Sequence, residues 1–199
     1  MNGDKIMDYV YHGSKIQGLK KLEKRSSIHQ QEWVYATPSK AVATIFINNG
    51  GSDFFYSLGG IGTIENPVVL VERKEGMFDK IFNLSGSLYT LKGDNFESGK
   101  TGWKAEVVSE FEEEVIYEEH IDNVLQKLNE LAEQDNFQLY RYPNRPDYVP
   151  LDNSDLIPKV IRLHNQGLTG IIDRFLQIYP ELTDKLNEEL KSTQNKKTL

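Results

Sequence analysis

Between Phe54 and Tyr117 the apolar residues come in short runs rich in β-branched and aromatic side chains, and glycine, asparagine, aspartate or serine interrupts the runs. Runs of this kind favour strands, so this stretch is expected to be mostly sheet. The expected strands are Phe54-Phe55-Tyr56-Ser57-Leu58, Pro67-Val68-Val69-Leu70-Val71-Glu72, Gly86-Ser87-Leu88-Tyr89-Thr90-Leu91, Lys104-Ala105-Glu106-Val107-Val108-Ser109 and Glu114-Val115-Ile116-Tyr117. Lys92 to Gly102 is a connection with Phe96 as its anchor, and Glu110-Phe111-Glu112-Glu113 is an acidic loop. Near residue 120 the period changes. Ile121, Val124, Leu125, Leu128 and Leu131 fall on one helical face.

The flanks complete an α+β layout. Met7 to Tyr11 is a strand ending at His12-Gly13, and Trp33-Val34-Tyr35-Ala36 is a second. Lys15 to Lys24 is a short helix or an irregular connection, with Ile16, Leu19 and Leu22 turned inward; Arg25 to Gln31 is a polar loop. Thr37 or Ser39 caps a helix that starts near Pro38 and buries Ala41, Ile45 and Phe46. Asn48-Asn49-Gly50-Gly51 ends it. Residues 141–153 hold three prolines and form a loop, followed by helices over 154–166, 168–179 and 181–191 and a polar, fraying tail. The expected organisation is an α+β front over residues 1–120 and a helical C-terminal segment over 121–199 packed on it.

Charge and composition narrow the function. The chain has 199 residues and a net charge of −7, which speaks against a general nucleic-acid binder. It has no cysteine, so disulfides, thiolate metal sites and a cysteine nucleophile are excluded. No signal peptide is visible at Met1-Asn2-Gly3-Asp4-Lys5, and no apolar run approaches the roughly 18–20 residues of a membrane span. A soluble, cytoplasmic protein without membrane partners is the expectation.

Two short motifs carry the chemistry. His12 closes a strand and is followed by Gly13-Ser14. A histidine there offers a ring N–H to a ribose hydroxyl, and the glycine lets a ligand approach the backbone. The plainer reading is a histidine in a turn after an edge strand. Tyr35 also closes a strand, where a tyrosine more often covers the sheet. The two are 23 residues apart, one strand–connection–strand unit, which can bring both into one cleft.

Tyr11-His12-Gly13-Ser14 followed by Val34-Tyr35-Ala36-Thr37-Pro38-Ser39-Lys40-Ala41-Val42-Ala43 resembles the first two motifs of ADP-ribosyltransferases of the diphtheria-toxin and poly(ADP-ribose) polymerase type. The resemblance covers roughly residues 7–120. It implies a split antiparallel β core and NAD as the substrate, with no metal. His12 would hold the adenosine ribose, with Ser14 beside it, the Gly13 backbone would grip the nicotinamide carboxamide, and Tyr35 would stack on the nicotinamide ring. The third member of the family's triad is a glutamate on a late strand. It stabilises positive charge developing at the anomeric carbon. Glu106 is the first choice, Glu113 the rival and Glu114 the third. The family's arginine-initiated toxins carry an Arg, a Ser-Thr-Ser strand and a Glu-x-Glu pair, which this chain lacks. RNA 2′-phosphotransferases need arginines around the histidine, and none stands beside His12.

Elsewhere, His29, His120 and His164 have no metal spacing, Asp152-Asn153-Ser154-Asp155 reads as a helix cap, and Gly59-Gly60-Ile61-Gly62 has no dinucleotide-binding context. Three functions remain open. One is an enzyme that transfers ADP-ribose from NAD to a protein or nucleic-acid acceptor, toxin- or effector-like. The second is a non-catalytic NAD or ADP-ribose binding module. The third is an interaction protein whose helical back is the working part.

Overall fold

A computed structural model describes residues 8–26, 31–50, 54–133 and 136–196. In chain order the strands and helices are β1 (Tyr9–Ser14), β2 (Lys21–Leu22), β3 (Arg25–Ser26), β4 (Glu32–Ala36), α1 (Lys40–Ile45), β5 (Tyr56–Gly59), β6 (Val68–Glu72), α2 (Met77–Phe82), β7 (Gly86–Lys92), β8 (Glu97–Ser98), β9 (Val107–Ser109), β10 (Glu113–Glu114), β11 (Tyr117–Ile121), α3 (Val124–Leu131), β12 (Phe137–Tyr140), α4 (Ile157–Asn165), α5 (Ile171–Ile178) and α6 (Thr183–Lys196). The protein is α+β, as its patterning predicts.

Among the described residues four small sheets make up the β part: β1-β7-β11, β3-β4-β9-β8, β12-β6-β5 and the pair β10-β2. Every pairing is antiparallel except β12 on β6. The first two sheets are stitched at one point. Tyr11 N–H donates to the Thr37 carbonyl at 2.8 Å, and Thr37 N–H returns to the Tyr11 carbonyl at 2.9 Å. Past this bridge β1 and β4 run in different sheets, and the space between them is the cleft described below.

Short α1 holds its place by packing. The Ser39 hydroxyl caps it, accepting from Val42 N at 3.3 Å, and Ala41 through Ile45 are all buried. Phe46 departs from the expected inner face. It lies at the C-cap, 50% exposed, because the helix ends one residue earlier. Below α1, one core joins Val42 and Ile45 to Val68, Leu70, Phe78, Phe82 and Leu88, and to Val124, Leu128, Leu131 and Phe137 from beyond residue 120. Residues 121–140 are therefore continuous with the front: α3 packs on α1 and β12 extends the β6 sheet.

A second core gathers Leu156, Ile157, Val160, Ile171, Phe175, Tyr179, Leu182 and Leu186 around Phe54. The Tyr179 hydroxyl donates to the Phe54 carbonyl at 2.6 Å, and buried Arg73 makes a bidentate pair with Asp155 at 2.8 and 2.7 Å. These contacts fasten α4–α6 to the β5–β6 end. The last helix runs to Lys196, past the expected end at 191 and into the expected polar tail. No helix among the described residues is long and apolar enough to cross a membrane.

The connection over 15–24 is irregular, with Leu22 buried, Leu19 half-buried and Ile16 at 51% exposure, so only part of its expected inner face is realised. Lys104 and Ala105 form a turn, and the strand expected from 104 starts at Val107. In the Gly59–Gly62 turn, the amides of Ile61, Gly62 and Thr63 all point at the Asn66 carbonyl, at 3.1–3.2 Å. With its donors spent internally, this loop is no phosphate cradle.

Candidate functional site

The site grows from the divergence of β1 and β4. One residue past the stitch, the His12 ring turns toward β4, with Nδ1 2.8 Å from the Tyr35 carbonyl. A carbonyl only accepts, so Nδ1 carries the hydrogen and Nε2 of the neutral ring is an acceptor. Burial pushes the His12 pKa below its ordinary value; the hydrogen bond to Tyr35 opposes this, and the Arg25 charge lowers it further. The ring N–H expected to reach a ligand is thus already used. The geometry leaves Nε2 to accept a hydrogen from a ligand hydroxyl.

His12, Gly13, Tyr35 and Glu106 line one cavity of about 520 Å³, within the range of small-ligand pockets. Its walls are mostly apolar. Phe46 from the end of α1 and Trp103 from the loop before β9 add an edge-to-face aromatic pair, with centroids 6.1 Å apart and planes at 72°. Sequence reasoning named Phe46 only as core and did not name Trp103. The one signal was chemical: each is an aromatic next to an element boundary, where side chains escape the core.

Glu106 is fixed through its backbone. Its amide donates to the Trp103 carbonyl at 3.1 Å, and its neighbours Ala105 and Val107 are both buried. Its half-buried carboxylate has no hydrogen bond or ion pair with any other described residue. The rival glutamates lie elsewhere. Buried Glu113 accepts from the Ser109 hydroxyl at 2.6 Å and from Asn95 at 3.5 Å, which braces the 109–113 turn. Exposed Glu114 stands opposite Lys21 in the β10–β2 pair. Neither lines the cavity.

Gly13 has a structural reason to be glycine. A Cβ built on it would stand 1.9 Å from the Ala43 carbonyl oxygen and 2.8 Å from Ile47 Cγ1. The strand and α1 touch backbone to backbone at this point. Ser14 does not reach the main cavity. It lines a second, less apolar cavity of about 200 Å³, of which His12 and Tyr35 are also walls, together with Lys21 and Arg25. Lys21 is paired there with Glu112.

The remaining sequence candidates fall away from the cleft. His120 lies exposed on β11 and His164 exposed on α4; His29 falls outside the described residues. Asp152 accepts from the Ser154 amide at 3.1 Å and hydroxyl at 2.7 Å, as a turn before a helix would have it. Among the described residues no cluster of histidine and carboxylate side chains could hold a metal. Among the described residues none beyond Glu106 lines the main cavity, so the described parts of α4–α6 do not wall it. No family model matches the sequence, and no curated protein or solved structure matches it either.

Proposed function

We propose that the protein is an NAD-dependent mono-ADP-ribosyltransferase with the split antiparallel core of the diphtheria-toxin and poly(ADP-ribose) polymerase type, toxin- or effector-like, working in the cytoplasm. The observation that carries this reading is the meeting in one cavity of His12, Tyr35 and Glu106, three residues remote in sequence, with the Glu106 carboxylate unpartnered among the described residues. A carboxylate engaged in a structural ion pair has little left to give a substrate; one held by its backbone and otherwise free can meet developing positive charge.

In this reading His12 Nε2 accepts a ribose hydroxyl hydrogen and Tyr35 stacks on the nicotinamide ring. The bond between C1′ and the nicotinamide nitrogen breaks, its electron pair goes to that nitrogen, and neutral nicotinamide leaves. Glu106 accepts a hydrogen bond from the ribose 2′-hydroxyl and stabilises the oxocarbenium-like centre. An acceptor nucleophile then bonds to C1′ from the opposite face and gives up its proton. The acceptor is a protein or nucleic-acid group, and no metal takes part.

The test is incubation with NAD labelled on the adenylate, following nicotinamide release and transfer of label to a cell extract. Wild-type protein is expected to release nicotinamide, and Glu106→Gln to lower that rate by about a hundredfold or more, the scale of losing one preorganised electrostatic contact. Binding of NAD without release in the wild type would favour the non-catalytic module. Neither binding nor release would leave only the architecture.

A further inference from the structure

Glu118 lies in a run of acids that continues past the acidic loop of residues 110–113, yet its side chain is only 13% exposed. Its Oε1 accepts from the Gly18 amide at 2.7 Å and the Ser87 hydroxyl at 2.7 Å, and shares the single Tyr89 hydroxyl hydrogen, 3.0 Å away, with the Ile16 carbonyl. These bonds, the Gly18 amide first, hold its pKa below the ordinary carboxylate value. The Tyr89 hydroxyl also lies 2.8 Å from the Ile16 carbonyl and takes the Leu19 amide at 3.2 Å. Gln17 adds a bond to the Gly86 carbonyl at 3.2 Å.

The register explains this convergence. Tyr89 on β7 stands opposite His12 on β1 and opposite Glu118 on β11. Directly opposed residues share a face of the sheet. His12, Tyr89 and Glu118 therefore form one row, and residues 16–19 fold back over it. Leu19 from that segment lines the second cavity, beside His12.

We propose that Glu118 is a positioning residue. Together with Tyr89 it clamps residues 16–19 onto the face that carries His12, and so fixes the wall of the second cavity against the part of the ligand that extends beyond His12. The link to a ligand rests on the NAD reading above; the clamp itself does not. It gives the Tyr-His-Gly-Ser motif a partner about a hundred residues downstream, since Glu118 and Gly18 are separated by 100 positions.

The test uses the full chain with Glu118→Gln and Glu118→Ala, and Glu119→Gln as control, because Glu119 pairs with Lys127 at 2.6 Å instead. Hydrogen exchange of the Gly18 and Leu19 amides is measured without ligand. Both are expected to exchange about tenfold faster in Glu118→Gln and faster still in Glu118→Ala, as a bond to a charged acceptor is weakened and then removed. Unchanged exchange would refute the clamp whatever the protein does with NAD. For NAD cleavage the KM is expected to rise about tenfold with kcat nearly kept, while inhibition by free nicotinamide, a probe of the main cavity, stays at the wild-type level. Faster exchange with an unchanged KM, or a parallel loss of nicotinamide inhibition, would reduce Glu118 to a general stabiliser and overturn the positioning role. Wild-type protein inert toward NAD would overturn the dinucleotide reading and the KM effect with it, and the exchange measurement would still decide the clamp.

Discussion

Gly13→Ala separates two reasons for a glycine beside the candidate site. If the residue is glycine only to admit a ligand, alanine will weaken binding and leave the free protein intact. The structure puts a backbone carbonyl where the methyl would go. The added Cβ would lie 1.9 Å from the Ala43 oxygen and 2.8 Å from its carbon, against a floor of 3.0 Å that real Cβ contacts respect. The deficit of about 1.1 Å falls on backbone in the middle of α1, so no side-chain rotation relieves it. The helix must move away from β1, and its buried face from Ala41 to Ile45 must part from the core. Overpacking of this kind costs about 1–3 kcal/mol, and backbone against backbone belongs at the upper end, about 3 kcal/mol. For a domain of this size that lowers Tm by about 6–12 °C. Thermal unfolding followed by circular dichroism, without any ligand, measures it. A ligand-free Tm within about 1 °C of wild type would refute the backbone contact and return Gly13 to a purely ligand-facing role.

Two further predictions concern the ring and the second core. Because burial lowers the His12 pKa from 6.5, the unfolded chain binds that proton more readily than the native one, so the His12 contribution to stability is complete above about pH 6.5 and is lost as pH falls through the window below it; urea unfolding across pH 5–8 should show a slope that His12→Gln flattens, and an unchanged slope would contradict the buried neutral ring. Tyr179→Phe should lower stability by about 1–3 kcal/mol in the same assay, since the buried Phe54 carbonyl loses its 2.6 Å donor, and should leave nicotinamide release unaltered; a changed rate would mean that α4–α6 reach the site after all.

The sequence made the local elements legible and left the meetings between them hidden. His12 and Tyr35 could be placed together because each closes an expected strand and one connection joins those strands, although β1 in fact runs on to Ser14. Glu106 could be favoured but not separated from Glu113, since both precede β-branched residues; only the fold shows Glu113 spent on Ser109 and Asn95. Helix α2 escaped notice because six residues behind a left-handed Gly76 give too short a period to detect, and its stability comes from burying Phe78, Ile81 and Phe82. Strand β12 escaped because its partner β6 is parallel and far away in sequence, so no turn chemistry announces the pairing. Trp103 and Phe46 meet across the cleft from different elements, a contact that no periodicity encodes.

The row His12–Tyr89–Glu118 shows why β1 carries so much of the candidate site. Its stitch to Thr37 comes at Tyr11, before the strand leaves β4, so the next residue must face the gap. Its pairing with β7 continues to Ser14, so the same residue stays in register with Tyr89. On one side, the close backbone contact at Gly13 presses α1 against the strand; on the other, Glu118 and Tyr89 tie down residues 16–19. His12 is thus held by a sheet, a helix and a folded-back segment before any ligand arrives. A ring fixed in that way, with one tautomer selected by the Tyr35 carbonyl, loses little freedom on binding. Three remote contacts, at Thr37, Ala43 and Glu118, make an otherwise ordinary strand residue into a preorganised acceptor.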